Sequence, residues 1–162
     1  MMLTVDTESR TTEADHLAIR LWLRMLACTN RVGQRVSANL RDSFGTTLPR
    51  FDFLSQLQRF PAGLRMTEIS RRMMVTAGNI TRLADQLEAE GLITRAPAAG
   101  DRRVAIVRLT DRGRRSFDAM AREHEEWIVT MFDRLSDDER RALFGLLGRL
   151  KDHLNAGTAG PR

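Results

Sequence analysis

The fold is decided by a stretch in the middle of the chain that reads, from residue 76 to residue 110, TAGNITRLADQLEAEGLITRAPAAGDRRVAIVRLT. Its first half carries apolar residues every three or four positions, which predicts a helix that Thr76 caps and Gly91 ends. Its second half has two apolar runs, 92–95 and 104–109, around a turn-rich segment, 96–101. These runs predict a β-hairpin directly after the helix.

The residues before this stretch predict a short strand and a second short helix. Residues 64–66 suit the strand, and Thr67 is placed to cap a helix that reaches Met73. A turn then follows, centred on Val75. Two short helices joined by a tight turn and followed by a hairpin form a winged helix-turn-helix, whose second helix can enter the major groove of DNA.

Longer amphipathic helices are predicted on both sides of this core. Residues 14–44 carry an apolar stripe at helical spacing, made of Leu17, Leu21, Met25, Cys28, Val32, Val36, Leu40 and Phe44. A helix begins near Pro49, a long one follows Thr110, and a capping box of Ser136 and Glu139 starts the last. Its stripe is Leu143, Leu147, Leu150 and Leu154. The predicted fold class is mainly α with a small β-hairpin wing.

The composition excludes several classes of protein. With 162 residues, 42% apolar and 29% charged, the chain suits one domain over residues 1–162, with a flexible tail at 156–162. No apolar run is long enough for a membrane span or a secretory signal, so a cytoplasmic protein without membrane partners is expected. The single cysteine, Cys28, excludes disulfide and zinc-finger scaffolds.

The positive charge lies in one segment. Residues 65–115 hold 11 arginines against 6 acidic residues, whereas the rest of the chain sums to zero, so the whole excess of +5 is in this segment. A polyanion is the natural partner, and a solvated basic surface without a partner is the alternative.

The central helix and the hairpin supply candidate DNA contacts. Small and polar residues at 77–79 and 81 would let the helix approach base edges, where Asn79 suits an adenine and Arg82 a guanine or a phosphate. The hairpin tip would bring Arg102 and Arg103 to the minor groove, with Asp101 ion-paired to one of them. The predicted set on double-stranded DNA is Thr76, Ala77, Gly78, Asn79, Thr81, Arg82, Arg95, Asp101, Arg102 and Arg103, with Arg65 adding phosphate attraction.

Three sequence blocks carry a family resemblance: ISRRM at 69–73, TAGNITRL at 76–83 and LEAEGLI at 87–93. After them, residues 101–113 follow the pattern D-x-R-x5-L-T-x2-G without a gap. Residues 64–113 thus resemble the winged-helix core of MarR-type transcription regulators. Met74, where that family often has Gly, and Ala77, where it often has a basic residue, depart from the pattern and put the operator sequence in doubt.

The resemblance implies a homodimer on a palindromic operator, usually a repressor that a small ligand releases. Residues 14–44 and 110–155 would be the dimerisation helices, around a DNA-binding core at 49–109. Arg103 would be the minor-groove residue, with Asp101 as its partner. The apolar stripes of the outer helices independently favour a homodimer, because they exceed what the small core can cover.

The resemblance also implies an effector site between the first two helices and the dimerisation base. The residues there are Trp22, Met25, Leu26, Arg50, Phe51 and Phe53, for which plain core packing is the alternative. The run 66–82 is closest to family members that regulate aromatic-acid catabolism, some of which respond to aromatic acids or their coenzyme A thioesters.

Other chemistry receives little support from the sequence. Cys28 suits a buried small hydrophobe better than a redox sensor, and His16, His124 and His153 suit structural roles better than a metal site. No catalytic motif is present, so no enzyme, cofactor or metal is expected. Two alternatives to a regulator remain: an architectural DNA-binding protein without sequence preference and a winged helix that binds only proteins.

Overall fold

A computed structural model of the protein describes residues 16–73 and 77–157. It contains two compact units, one that extends to His124 and one that begins at Glu125. The elements in chain order are α1 (Leu17–Phe44), α2 (Leu48–Arg59), β1 (Leu64–Arg65), α3 (Met66–Met73), α4 (Ala77–Ala89), β2 (Ile93–Ala98), β3 (Asp101–Leu109), α5 (Asp111–Met131) and α6 (Asp137–Gly157). The predicted fold class, mainly α with a small β-hairpin wing, is confirmed.

The core of the first unit lies where α2, α3 and α4 pack with the sheet. Its fully buried side chains include Phe53, Leu54, Leu57, Ile69, Ile80, Leu87, Ile93 and Val107. Each such side chain contributes roughly 1.5–3 kcal/mol through burial. Of the stripe predicted for α4, Ile80, Ala84 and Leu87 are buried, as expected from their spacing.

The sheet has three antiparallel strands in the order β1-β3-β2, so β3 is central. The hairpin strands are longer than predicted. Residues 96–98 and 101, expected to form the turn, belong to β2 and β3, and so do residues 102 and 103, which precede the second predicted run. Pro97 can join β2 because this is an edge strand, where the missing N–H breaks no ladder bond. The turn is Ala99-Gly100, with Gly100 at a φ of +86°.

The start of α3 also differs from the prediction. Thr67 was expected to cap the helix, but the helix already begins at Met66. The carboxylate of Glu68 accepts a hydrogen bond from the backbone N–H of Arg65 (2.8 Å) and so supplies the cap from inside the first turn. The predicted turn residue Val75 lies outside the described residues.

The start of α5 follows the prediction and explains two residues of the wing pattern. The Thr110 hydroxyl accepts a hydrogen bond from the Gly113 N–H (2.9 Å) and donates one to the Gly91 carbonyl (2.7 Å). A Cβ at Gly113 would lie 1.9 Å from the Leu92 carbonyl oxygen, so only glycine fits there. These contacts join the first turn of α5 to the residues that end α4.

The apolar stripe of α1 is buried only in its second half. Val36 and Leu40 are buried, whereas Leu17, Leu21 and Cys28 are exposed. The expectation that Cys28 is a buried hydrophobe is therefore wrong for this chain, because Cys28 lies in the half of α1 that the core of the first unit does not cover. Residues 14 and 15, predicted as its first residues, lie outside the described part of the chain.

The second unit consists of the end of α5 and α6. The predicted capping box is confirmed: Glu139 accepts from the Ser136 N–H (2.8 Å), and the Ser136 hydroxyl accepts from the Glu139 N–H (3.3 Å). None of the described side chains of α6 is buried, and Phe144 is 81% exposed. The helix continues to Gly157, so the predicted tail cannot begin at residue 156; residues 158–162 are not described.

Candidate nucleic-acid interface

The two faces of α4 have opposite character. Opposite the buried face, the residues predicted to read DNA bases, namely Gly78, Asn79, Thr81 and Arg82, are exposed. A Cβ built on Gly78 would meet nothing within 4 Å, so this end of the helix stands clear of the rest of the described chain. Thr76 lies outside the described residues. Ala77 is the first residue of α4, and only its backbone is described.

This exposed face suits a close approach to another surface. It combines small residues with an amide and a guanidinium, the groups that can donate to and accept from the edges of base pairs. Within the described residues, Arg82 has no carboxylate within ion-pair distance, so its charge is not offset by a neighbour.

The wing places Arg103 on an irregular part of β3. Pro97 pairs with Ala105, but Ala98 pairs with Asp101, so the three residues 102–104 are extra on the β3 side. Such an irregularity turns side chains away from the regular alternation of the sheet. The Arg103 side chain is exposed, whereas of Arg102 only the backbone is described.

Asp101 contacts Arg103 in a different way from the prediction. Its carboxylate accepts a hydrogen bond from the backbone N–H of Arg103 (2.9 Å). The sequence predicts an ion pair with a wing guanidinium, and for Arg103 this is wrong: the carboxylate holds the backbone of the tip. A short acidic side chain two residues before an N–H forms this local bond readily, which competes with the longer-range pair.

Arg95 is bound by two carboxylates of α4. Its Nε donates to Glu88 (2.8 Å), its terminal nitrogen donates to Asp85 (2.7 Å), and its backbone N–H donates to the other oxygen of Glu88 (3.1 Å). The hydrogen bond with Arg95 lowers the pKa of Glu88. The sequence placed Arg95 among the DNA contacts, but its charge is already more than offset within the first unit.

The remaining arginines of the basic segment also divide into two groups. Arg108 donates from Nε to the Ala62 carbonyl (2.9 Å), Arg72 lies over the Phe60 ring (4.1 Å to its centroid), and Arg114 donates to Gln58 (3.3 Å). Arg65 and Arg71 are exposed like Arg72 and Arg108, but no carboxylate of the described residues lies within ion-pair distance of them. Counting charge along the sequence could not separate structural arginines from available ones, because the partners are distant in sequence.

The predicted effector residues lie in different environments. Phe53 is fully buried, and Phe51 is nearly so and stacks on Phe117 (5.4 Å) and against His124 (4.9 Å). Both are core residues, which is the alternative that the sequence left open. Trp22, by contrast, is 58% exposed on α1, and Met25 and Leu26 of the same helix are half-buried.

Arg50 is the polar member of this set. It forms an ion pair with Glu90, just beyond the last residue of α4, and the hydrogen bond lowers the pKa of Glu90. Its Nε is buried and has no hydrogen-bond partner among the described residues. Nearby in sequence, burial raises the pKa of Asp52, an effect that His124 and Arg59 partly offset. No sequence signal distinguished Asp52, because the desolvation of its carboxyl by neighbouring elements depends on tertiary packing.

The described residues offer neither a metal site nor a membrane-spanning helix. No group of three or more His, Cys, Asp or Glu side chains is arranged to hold a metal ion within residues 16–73 and 77–157. Among the helices of those ranges, none is both long and apolar enough to cross a bilayer.

Comparisons with known proteins agree with this architecture. Residues 44–104 match the MarR family. The transcriptional regulator PecS of Dickeya dadantii is 33% identical over 106 residues, which are 64% of either chain. The uncharacterised regulator YdgJ of Bacillus subtilis is 29% identical over 92 residues, 57% of this chain and 56% of YdgJ. The chain thus spans less than two thirds of the length of either relative.

A solved structure shares the fold over most of the chain. The MarR-family regulator Sco3205 of Streptomyces coelicolor, determined in complex with DNA, superposes with a TM-score of 0.74. It is 21% identical, and the match covers 90% of this chain and 91% of Sco3205. Sco3205 and the two sequence relatives are described as transcriptional regulators, not as enzymes.

Proposed function

We propose that this chain, whose residues 44–104 match the MarR family, belongs to that family and is a sequence-specific DNA-binding transcription regulator. The observation that carries the proposal is the exposed face of α4, with Gly78, Asn79 and Arg82, on the same compact unit as the exposed wing residue Arg103. A helix face of this composition fits the major groove, and a guanidinium on a wing fits the minor groove.

The active form in this proposal is a homodimer. Each unit on its own leaves apolar side chains exposed: Leu17, Ile19, Leu21 and Trp22 on α1, and Leu143, Phe144, Leu146, Leu147 and Leu154 on α6. A second copy of the chain is the partner that would cover such faces. Its two-fold symmetry would require an inverted repeat with half-sites about 10 base pairs apart.

The proposed mode of action is repression relieved by a small aromatic acid or its coenzyme A thioester, as in the control of aromatic-compound catabolism. Two features support an acidic aromatic effector: the exposed Trp22 ring, and the buried Nε of Arg50, which lacks an acceptor that a carboxylate would supply. A thermal-shift screen of these two ligand classes tests this part, since a ligand of the native state raises its melting temperature. No shift with either class would reject it.

Selection of bound sequences from a random DNA library at physiological salt tests DNA recognition. The natural protein should recover an inverted repeat and bind it about 10³-fold or more tightly than scrambled DNA. Replacing Asn79 and Arg82 with alanine should remove most of that preference and keep the salt-dependent affinity. The matched control replaces Arg31 and Gln34, an exposed pair at the same spacing on α1, and should keep the preference.

One result would contradict the proposal, and a second would keep the regulator but place base reading outside α4. If the natural protein recovers no inverted repeat, the architectural alternative is favoured, because such a protein binds scrambled DNA equally well. If the repeat survives the Asn79 and Arg82 replacement, the protein remains a regulator, but base reading lies in the wing or in DNA shape.

A further inference from the structure

Arg95 joins the two parts of the first unit that carry the candidate base-reading groups. It lies on β2, which pairs along its length with β3, the strand that carries Arg103. Its partners Asp85 and Glu88 lie on α4, the helix that carries Asn79 and Arg82. Along the chain, the turn at residues 90–92 connects α4 to β2. The ion cluster adds a direct side-chain link between the helix and the wing.

The hydrogen bonds of this cluster restrict both the position of the Arg95 guanidinium along α4 and its orientation. Asp85 and Glu88 lie one helical turn apart, so a single guanidinium that binds both is held along the axis of α4. Glu88 also accepts the backbone N–H of Arg95 through its second oxygen (3.1 Å), which ties the strand itself to the helix. A planar guanidinium held at Nε and at a terminal nitrogen cannot rotate freely, unlike an ammonium group.

The charge of the link argues against a phosphate contact. Two carboxylates bind one guanidinium, so the cluster carries a net negative charge and would repel the DNA backbone. The carboxylates remain partly exposed, 56% for the Asp85 side chain and 37% for that of Glu88. Exposed ion pairs add little to the free energy of unfolding, so stability alone does not account for three groups arranged in this way.

We propose that Arg95, Asp85 and Glu88 are positioning residues for DNA recognition: they fix the angle between α4 and the wing so that both reach adjacent grooves of one half-site. Arg95 itself makes no phosphate contact. This inference rests on the proposed function, since the angle matters only if both elements enter the DNA.

The test compares Arg95→Lys and Arg95→Gln on the selected inverted repeat and on scrambled DNA over a range of salt concentrations. Lysine keeps the positive charge but not the two-point grip, so both variants should lose roughly tenfold in affinity for the repeat. Affinity for scrambled DNA should change little in Arg95→Lys. The slope of log affinity against log salt should stay the same, whereas loss of a phosphate contact would reduce it by about 0.9 per contact.

A charge exchange provides the rescue. Glu88→Arg alone should behave like Arg95→Gln, and Glu88→Arg combined with Arg95→Glu should recover a large part of the preference for the repeat. Arg141→Gln, which removes another exposed arginine ion pair with a carboxylate on α6 (3.1 Å to Asp138), is the control and should leave both affinities unchanged. Melting temperatures of all variants separate a loss of fold from a loss of positioning.

Each contrary outcome has a distinct meaning. Full affinity in Arg95→Lys, with a smaller salt slope in Arg95→Gln, would show a phosphate contact and overturn the inference. Lower melting temperatures with an unchanged preference would show a purely structural link and overturn it too. If the unaltered protein prefers no sequence, the proposed function fails and the inference fails with it; if it prefers the repeat and every variant keeps that preference, only the inference fails.

Discussion

Helices α4 and α6 have similar apolar repeats and opposite burial. In α4, Ile80, Ala84 and Leu87 are buried, whereas in α6 Leu143, Leu147 and Leu154 are between 39% and 60% exposed. The spacing of apolar residues defines a face, but it does not say which surface covers that face. For α4 the covering surface is in the same unit, whereas the apolar face of α6 stays exposed in its own unit, and we infer that a second chain covers it.

The largest effect should come from placing charges on the exposed apolar face of α6. Leu143→Glu combined with Leu147→Glu should abolish dimer formation, because two carboxylates would have to be buried in the apolar contact. Sedimentation velocity at micromolar concentration measures the change. Arg149→Glu, which adds a carboxylate elsewhere on α6, should still dimerise. A natural protein that sediments as a stable, well-folded monomer would refute the proposed homodimer.

A smaller but still large effect should come from adding a methyl group at a closely packed glycine of the first unit. Gly113→Ala should destabilise the fold by about 2 kcal/mol or more, since its Cβ would lie 1.9 Å from the Leu92 carbonyl oxygen. Gly145→Ala on α6, where a Cβ meets nothing within 4 Å, should instead stabilise by about 0.5–1 kcal/mol. Urea unfolding measures both, and equal effects would contradict the difference in packing.

An intermediate effect should separate the two kinds of arginine in the basic segment. Arg103→Ala should weaken operator binding by roughly 1–3 kcal/mol and leave the melting temperature unchanged, because it removes an exposed wing group. Arg108→Ala should lower stability by about 1 kcal/mol, because it removes the bond to the Ala62 carbonyl. DNA titration and thermal melting distinguish them; unchanged affinity in Arg103→Ala would mean that the wing stays outside the DNA.

The smallest effect should come from Asp52 on α2. Burial raises its pKa, so the native state binds this proton more tightly than the unfolded chain does. Its favourable contribution is complete below the unfolded pKa and is lost as the pH rises through the higher native pKa. Because Asp52 remains more than a third exposed, solvent screens this effect. Asp52→Asn should therefore be only slightly more stable at neutral pH, with the difference closing toward pH 3.8. Lower stability of the variant at pH 7 would reverse the assigned sign.

Local rules predicted the parts of the fold whose partners are close in sequence. Gly91, Thr110 and the Ser136 and Glu139 pair all do what their positions indicate, because a cap is formed within three or four residues. The sequence predicts hairpin strands that are too short, because proline is typical of turns. Pro97 fits in β2 because β2 is an edge strand.

The candidate site was less predictable than the fold. The exposed face of α4 followed from helical spacing, but the pairing of Arg95 depends on how β2 lies against α4. The exposure of Cys28 and the burial of Phe51 depend in the same way on which surfaces meet. Sequence identifies these residues as candidates, and only tertiary contacts decide between their alternatives.

The irregular pairing at the wing tip has a consequence for how such a protein can evolve. Below Pro97 and Ala105 the two strands keep a constant register down to Ile93 and Leu109, and the three extra residues are confined above it. Insertions or deletions at the tip would therefore change the reach of the wing without shifting any pair at its base, since a loop absorbs added length at low entropic cost. The tip can diverge between descendants of this gene while the sheet beneath it stays the same.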